Sequence, residues 1–331
     1  MKAVQIHEHG EPSVLRYEEV PVPALQAGEV LVQVHAVGLN PPDWYLREGM
    51  SMLPPDMRPQ LPFPYILGTD ISGVVVEVAE GVTEHAVGDE VFGMLRFPHP
   101  GTSAYAEYVA APAAELARKP AGVSHAEAAA VAMSGLTAWQ FLIELGHDHP
   151  NPLQPGKHVP VPLEAGMTVL VNGAAGGVGH LALQLARWKG ARTIAVASAR
   201  HEEFLRKLGA DEYLDYARVK PEDVVRDVDL VVDNVGGPTS GRFLPTLKRG
   251  GALFPIFLAQ VDPADVAKYG VTVSSTQVRP NAAQLDQIGR LLASGDLRVA
   301  IDSTFPLPEA AAAHERAENG HLQGKIVLQV I

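Results

Sequence analysis

Val169-Leu170-Val171-Asn172-Gly173-Ala174-Ala175-Gly176-Gly177-Val178-Gly179-His180-Leu181-Ala182-Leu183 is the stretch that decides how this chain folds. A β-branched apolar run passes straight into a glycine turn and then into a helical pattern. Val178, Leu181, Ala182, Leu185 and Ala186 fall at i, i+3, i+4, i+7 and i+8, the spacing of one helical face. Strand, tight turn and helix in this order make a cradle for a dinucleotide pyrophosphate. Gly176 and Gly177 let the backbone approach the phosphates, and Gly179 lets the helix pack closely on the strand. The helix N-terminus adds unpaired N–H groups and the positive end of its dipole. Gly173, Ala174, Ala175, Gly176, Gly177 and Val178 are therefore the candidate phosphate-binding residues, and a nicotinamide cofactor is expected. Ala174 stands at the first position of the G-x-G-x-x-G pattern, which weakens the motif in isolation. Its setting between strand and helix restores it. The alternative is a glycine turn that serves structure alone.

Working outward, Thr193–Ala197, Asp229–Val232, Gly251–Phe257 and Val271–Val273 are further short apolar runs with helical stretches between several of them. That rhythm predicts an α/β fold, a doubly wound parallel sheet with helices on both faces. Residues 1 to about 130 read differently. Glu29–Val37 and Ile71–Val78 alternate in character, and Glu80-Gly81 and Val87-Gly88-Asp89 mark turns, so a β-rich, barrel-like unit is expected there. Ala126 to about Leu145 turns helical. In the tail, Leu285, Ile288, Leu291 and Leu292 mark a helix and Lys325–Val330 a closing strand. The expected divisions are 1–130, 131–273 and 274–331.

With 331 residues the chain is long enough for about two domains, and 47% apolar content supports sizeable cores. A net charge of −12 without any Lys/Arg-rich run argues against nucleic acid as a partner. The absence of cysteine removes disulfides, thiolate metal sites and cysteine nucleophiles, and fits a reducing compartment. No apolar run reaches membrane-spanning length and the N-terminus shows no signal-peptide pattern, so a cytoplasmic protein with no membrane partner is expected. Gly146–Gly166 carries five prolines together with His147, His149 and His158. Proline at this density predicts a surface loop, and without fixed ligand spacing its histidines read as solvated side chains rather than a metal site.

The second strand of the parallel sheet runs into Ser198-Ala199-Arg200-His201. NAD-specific sites place a carboxylate there for the ribose 2′-hydroxyl. Here Glu202 and Glu203 come later, on the next helix. A hydroxyl, a guanidinium and an imidazole suit a 2′-phosphate, so NADPH is the expected cofactor. The competing reading makes Ser198 a helix N-cap beside a solvated Arg200.

Several motifs in order now resemble the medium-chain dehydrogenase/reductase superfamily, and within it the zinc-free quinone oxidoreductase branch related to zeta-crystallin. They are Gly38-Leu39-Asn40-Pro41-Pro42-Asp43, Leu67-Gly68-Thr69-Asp70-Ile71-Ser72-Gly73, Gly88-Asp89-Glu90-Val91-Phe92-Gly93, Ser103–Tyr108, Gly135-Leu136-Thr137-Ala138-Trp139, Asp233–Gly237 and Gly324–Leu328. The resemblance covers nearly the whole chain. It implies a GroES-like catalytic domain completed by the C-terminal segment, a Rossmann domain, and an active site in the cleft between them. It further implies a homodimer paired through Rossmann sheet edges, with Gly251–Phe257 as the strand concerned.

By that resemblance, Asn40 and Thr69 stand where zinc-dependent relatives carry Cys and His ligands, so no metal is expected. Without a Lewis acid, a simple ketone is a hard hydride acceptor, whereas a quinone or an α,β-unsaturated carbonyl spreads the incoming charge. Tyr45 and Asn40 are the candidate catalytic donors. Tyr45 is equally readable as a half-buried aromatic, and Asn40 as a turn former; Asp43 reads as structural. The resemblance brings Thr137, Asn40 and Lys325 near the cofactor and Tyr216 to its adenosine end with Ser198 and His201. Asn234 and Val235 end a sheet strand, and Phe254 and Ile256 either flank the nicotinamide or serve the dimer edge. A solvated Lys325 is the competing reading. The expected function is NADPH-dependent reduction of a quinone or enone. The alternatives are a zinc-independent alcohol or enoyl reductase and an NADPH-binding protein without turnover.

Overall fold

The computed structural model describes residues 1–96, 103–149, 158, 161 and 163–331, and the chain folds into two compact units. The first unit contains 1–133, 279–295 and 299–331, and the second 134–278 and 296–298. The first division, at 133/134 where the change from strand to helical pattern suggested about 130, falls inside one continuous helix. The second lies at 278/279 rather than 273/274.

In chain order, the first unit opens with β1 (Lys2–Ile6), β2 (Arg16–Glu19), β3 (Glu29–Gly38), α1 (Pro41–Arg47), β4 (Tyr65–Ile66), β5 (Asp70–Val78), β6 (Glu90–Met94), β7 (Tyr108–Pro112), β8 (Leu116–Arg118) and α2 (His125–Leu142). The second unit follows with β9 (Thr168–Asn172), α3 (Gly179–Trp188), β10 (Arg192–Ala197), α4 (Glu202–Lys207), β11 (Glu212–Asp215), α5 (Pro221–Val224), β12 (Val228–Asp233), β13 (Leu247–Pro255), α6 (Pro263–Tyr269) and β14 (Thr272–Val273). The chain then returns to the first unit with α7 (Ala282–Ser294), β15 (Ile301–Pro306), α8 (Ala310–Glu318) and β16 (Lys325–Gln329).

The first unit holds a three-stranded sheet, β2-β1-β4, and a seven-stranded sheet centred on β3. One edge of β3 is taken by β5. The other is shared by β7, along Glu29–Gln33, and by β16, along Ala36–Gly38. Being paired on both edges, β3 is apolar almost throughout. Val30, Val32, Val34 and Val37 are buried with Val4, Ile6, Ile71 and Val91 in one core.

The second unit is an all-parallel sheet in the order β11-β10-β9-β12-β13-β14. Renumbered within the unit this is 3-2-1-4-5-6, the Rossmann order, and its reversal point lies between β9 and β12. Leu170, Val196, Val231, Phe243 and Leu253 form its core. One expectation is corrected. The strand containing Gly251–Phe257 is not the sheet edge, because β14 lies outside it and pairs at Ala252 and Leu253. No helix among the described residues is long and apolar enough to cross a membrane.

Candidate functional site

The glycine turn sits where β9 ends, at the reversal point of the sheet. Gly173 takes φ +69°, a left-handed conformation that a side chain would strain. A Cβ on Gly179 would lie 2.2 Å from the Gly173 carbonyl oxygen and 2.9 Å from Ala174 Cα. Only glycine lets α3 begin this close to the turn. A Cβ on Gly176 would meet nothing nearer than that same oxygen at 3.4 Å, so the space above it is open. The N–H groups of Gly177 and Val178 donate to nothing among the described residues. Ala174 and Ala175 are buried, and Gly173, Gly176, Gly177 and Val178 are half-exposed. Open space, free N–H groups and a helix N-terminus suit a pyrophosphate.

The neighbouring strand end is tied down. Asp233 Oδ1 accepts from Asn172 Nδ2 (2.7 Å), Val235 N (3.2 Å) and Gly236 N (3.1 Å), while Oδ2 accepts from Ser240 Oγ (2.6 Å). Asn234 Nδ2 donates to Asn172 O at 2.8 Å, and its Oδ1 is buried with no partner among the described residues. Val235 is exposed beside the turn.

At the end of β10, Ser198 occupies the N-cap position of a short 3₁₀ turn, yet its side chain makes no capping bond. Arg200 is exposed, whereas His201 is buried, which corrects its expected place on the cofactor surface. Glu202 and Glu203 lie on α4 and pair with Arg206 and Lys207 one turn on, leaving no carboxylate directly after the strand. Tyr216 is exposed, its N–H bonded to Ala197 O at 3.3 Å. Ser198, Arg200 and Tyr216 thus share one sheet end.

In the first unit, Asn40 is buried and wholly engaged. Its Nδ2 donates to Gly38 O (3.1 Å), Asp70 Oδ2 (2.9 Å) and Thr69 Oγ1 (3.3 Å), and its Oδ1 accepts from Lys325 Nζ. Lys325 Nζ also donates to Leu39 O at 2.7 Å. Both expectations for these residues change. Asn40 has no amide proton left for a substrate, and Lys325 is buried rather than solvated. The two carboxyls beside them respond to this setting. Burial pushes Asp70 up to about 6, opposed first by Lys325, and pushes Asp43 up to about 7, opposed first by the Asn40 N–H. Burial pushes Lys325 down, opposed by Asp70 and Asp43. Asp43 caps α1 by accepting the Asn40 N–H at 2.8 Å, so its structural reading fits its position.

Tyr45 is half-buried on the same helix, and burial, then Glu48, pushes its phenol above the usual 10. In the second unit, Thr137 is buried on α2. Phe254 lies within β13 and is fully buried against Phe141 and His158, so it serves the core and neither a nicotinamide nor a dimer edge. Ile256 is half-buried and donates its N–H to Asp233 O. His158 is also a correction. It is buried, with Nε2 3.3 Å from Phe141 O and Nδ1 3.0 Å from Ser274 Oγ, and burial drops its pKa to about 4. Around it, 150–157, 159, 160 and 162 lie outside the described residues, and the loop expectation falls largely there.

The fold and this site define a dinucleotide-dependent oxidoreductase. Residues 26–121 match the alcohol dehydrogenase GroES-like domain and residues 208–328 the zinc-binding dehydrogenase family. The chloroplast envelope quinone oxidoreductase homolog of Arabidopsis thaliana is 34% identical, over 99% of this chain and 98% of that protein. The 2-methylene-furan-3-one reductase of Solanum lycopersicum is 31% identical, over 100% of this chain and 79% of that protein. Among solved structures, the Escherichia coli quinone oxidoreductase complexed with NADPH superposes with TM-score 0.85 and 26% identity, covering 100% of both chains. The chain belongs to the medium-chain dehydrogenase/reductase superfamily, in its zeta-crystallin-like quinone oxidoreductase branch.

The zinc of the family name does not fit the donors present. Asn40 and Thr69 offer an amide and a hydroxyl already bonded to each other, and the Lys325 ammonium donates to Asn40. Zinc prefers thiolate, imidazole or carboxylate ligands. Sequence reasoning missed this buried cation, although Lys325-Ile326-Val327-Leu328 lacks polar alternation, a sign that both faces of its strand are covered. It also missed Asp233, whose signal is an acid closing the apolar run Leu230-Val231-Val232.

Proposed function

We propose that this oxidoreductase reduces a quinone or an α,β-unsaturated carbonyl with NADPH and without a metal. The observation that supports the reading is the Lys325–Asn40–Asp70 cluster, where an ammonium and an amide already engage the side chains a Lewis acid would need at this position. An acceptor that delocalises its own charge needs none. NADPH, when bound, supplies the hydride. The N–H groups of Gly177 and Val178 would hold its pyrophosphate, and Ser198, Arg200 and Tyr216 its adenosine 2′-phosphate end. Tyr45 keeps its proton at neutral pH, since its pKa is raised, and so can donate to an acceptor oxygen. Asn40 acts by holding the start of α1 rather than by touching substrate. The named quinone and enone reductases among the relatives support the acceptor class.

The chain is further read as cytoplasmic, on its lack of cysteine, and as a homodimer joined along the short β14 edge. An NADPH-consumption screen over quinones, enals, enones and simple ketones, with and without chelator, tests the main reading. Turnover of conjugated acceptors that survives chelation is expected. Turnover confined to simple ketones, or abolished by chelation, would overturn it.

A further inference from the structure

We infer that His314 is a positioning residue: its ring carries a hydrogen bond of fixed direction from the Arg47 guanidinium to the Tyr105 hydroxyl and on to Asp43, and so holds the first turn of α1, which bears Tyr45. This rests on the role proposed above for Tyr45.

The direction follows from the atoms. Arg47 Nη1 lies 3.2 Å from His314 Nδ1, and a guanidinium only donates, so Nδ1 must present its lone pair. His314 is fully buried, and burial first, then Arg47, lowers its pKa to about 3. The neutral ring carries one N–H, which Nδ1 cannot have, so it sits on Nε2. Nε2 is 3.0 Å from Tyr105 Oη, which accepts it. The single phenol proton is then left for Asp43 Oδ2 at 3.3 Å, the same oxygen that accepts the Asn40 N–H.

Both ends of this file are fixed. Arg47 is wholly buried, donates from Nε to Gly10 O at 2.9 Å, and pairs with Glu48 (2.8 Å) and Glu318 (2.6 Å). Tyr105 lies against Gly68, where φ is +96° and a Cβ would come within 2.4 Å of the ring. Gly68 therefore admits the ring that links α8 to α1. Apolar packing could serve stability as well as a buried polar file. What the file adds is a fixed direction, since the His314 Nε2 proton and the Tyr105 hydroxyl proton each have a single acceptor in it.

The test combines spectra with kinetics. In protein carrying ¹⁵N-histidine, with the His314→Gln variant for assignment, long-range ¹H–¹⁵N spectra should show Nε2 protonated, Nδ1 bare and no titration between about pH 5.5 and 8. A ring protonated on Nδ1, or titrating in that range, overturns the relay whether or not any acceptor is turned over. His314→Gln retains an acceptor and a donor and should keep kcat within about twofold, whereas His314→Leu and Tyr105→Phe should each lower it at least about tenfold. The Kd for NADPH, whose proposed residues lie in the other unit, should not move. In a Trp139→Phe/Trp188→Phe background, fluorescence of Trp44 on α1 should shift in His314→Leu and not in His314→Gln. Equal losses in the Gln and Leu variants, or a matching loss of NADPH affinity, would refute the positioning role. If the wild type reduces no acceptor, the function proposed above fails, and the spectra and Trp44 still decide the relay and its hold on α1.

Discussion

Replacing Lys325 by methionine keeps the length of the side chain and deletes the cation bonded to Asn40 beside Asp70 and Asp43. Two costs separate by pH. Leu39 O and Asn40 Oδ1 lose their donor at any pH, about 1–3 kcal/mol for buried acceptors left unmet. The carboxyls of Asp70 and Asp43 lose the charge that opposes their burial. Their pKa values, already about 6 and 7, then rise further. At pH 8 an uncompensated buried charge brings the total to about 3–5 kcal/mol. At pH 5 both carboxyls are protonated and neutral, so only the smaller cost remains. Urea unfolding of the first unit, followed through Trp44 in a Trp139→Phe/Trp188→Phe background, would measure the difference. The Lys325→Met loss should exceed its pH 5 value by about 2 kcal/mol at pH 8, and Asp70→Asn in the same chain should recover part of it. Equal losses at the two pH values would refute the account of Lys325 as the internal counter-charge.

Gly179→Ala forces a Cβ against the Gly173 carbonyl, so both Tm and NADPH affinity should fall, with a stability loss of about 1–3 kcal/mol. Gly176→Ala has room in the protein and should leave Tm unchanged while NADPH fluorescence titration shows weakened binding. Arg200→Ala should raise the KM for NADPH by roughly 10–100-fold, as for a lost charge-assisted hydrogen bond, and leave that for NADH unaltered. His158 has a folded pKa of about 4, below the 6.5 of the unfolded chain, so the unfolded state takes up a proton first as pH falls. The stabilisation is whole above pH 6.5 and is lost between pH 6.5 and 4, about 3 kcal/mol in all. Thermal melts of His158→Asn against wild type should show a shallower acid decline in the variant.

The parallel sheet and its glycine turn were legible because periodicity and turn chemistry are local. Val169–Val171 and the helical spacing after Val178 lie within a few residues of one another. The β-rich character of the N-terminal part was legible for the same reason. Side-chain partnerships across long separations were not. Nothing near Arg47 announces His314, and nothing near Asn40 announces Lys325; only the folded sheet brings β16 beside β3. Phe254 and His158 show the same limit, because an aromatic at a strand end and a histidine among prolines look solvent-facing until the packing between them is seen.

The shared edge of β3 bears on how the chain is made. Its partners arrive about 75 and about 290 residues later, the second of them, β16, being made after every other described strand. The parallel sheet, by contrast, is drawn from one uninterrupted stretch. Contacts that span little chain form soonest. The parallel sheet therefore needs no strand made after β14, whereas the unit bearing Tyr45 keeps an open edge on β3 until β16 is made. Loss of that strand should leave the parallel sheet intact and the unit bearing Tyr45 open along β3.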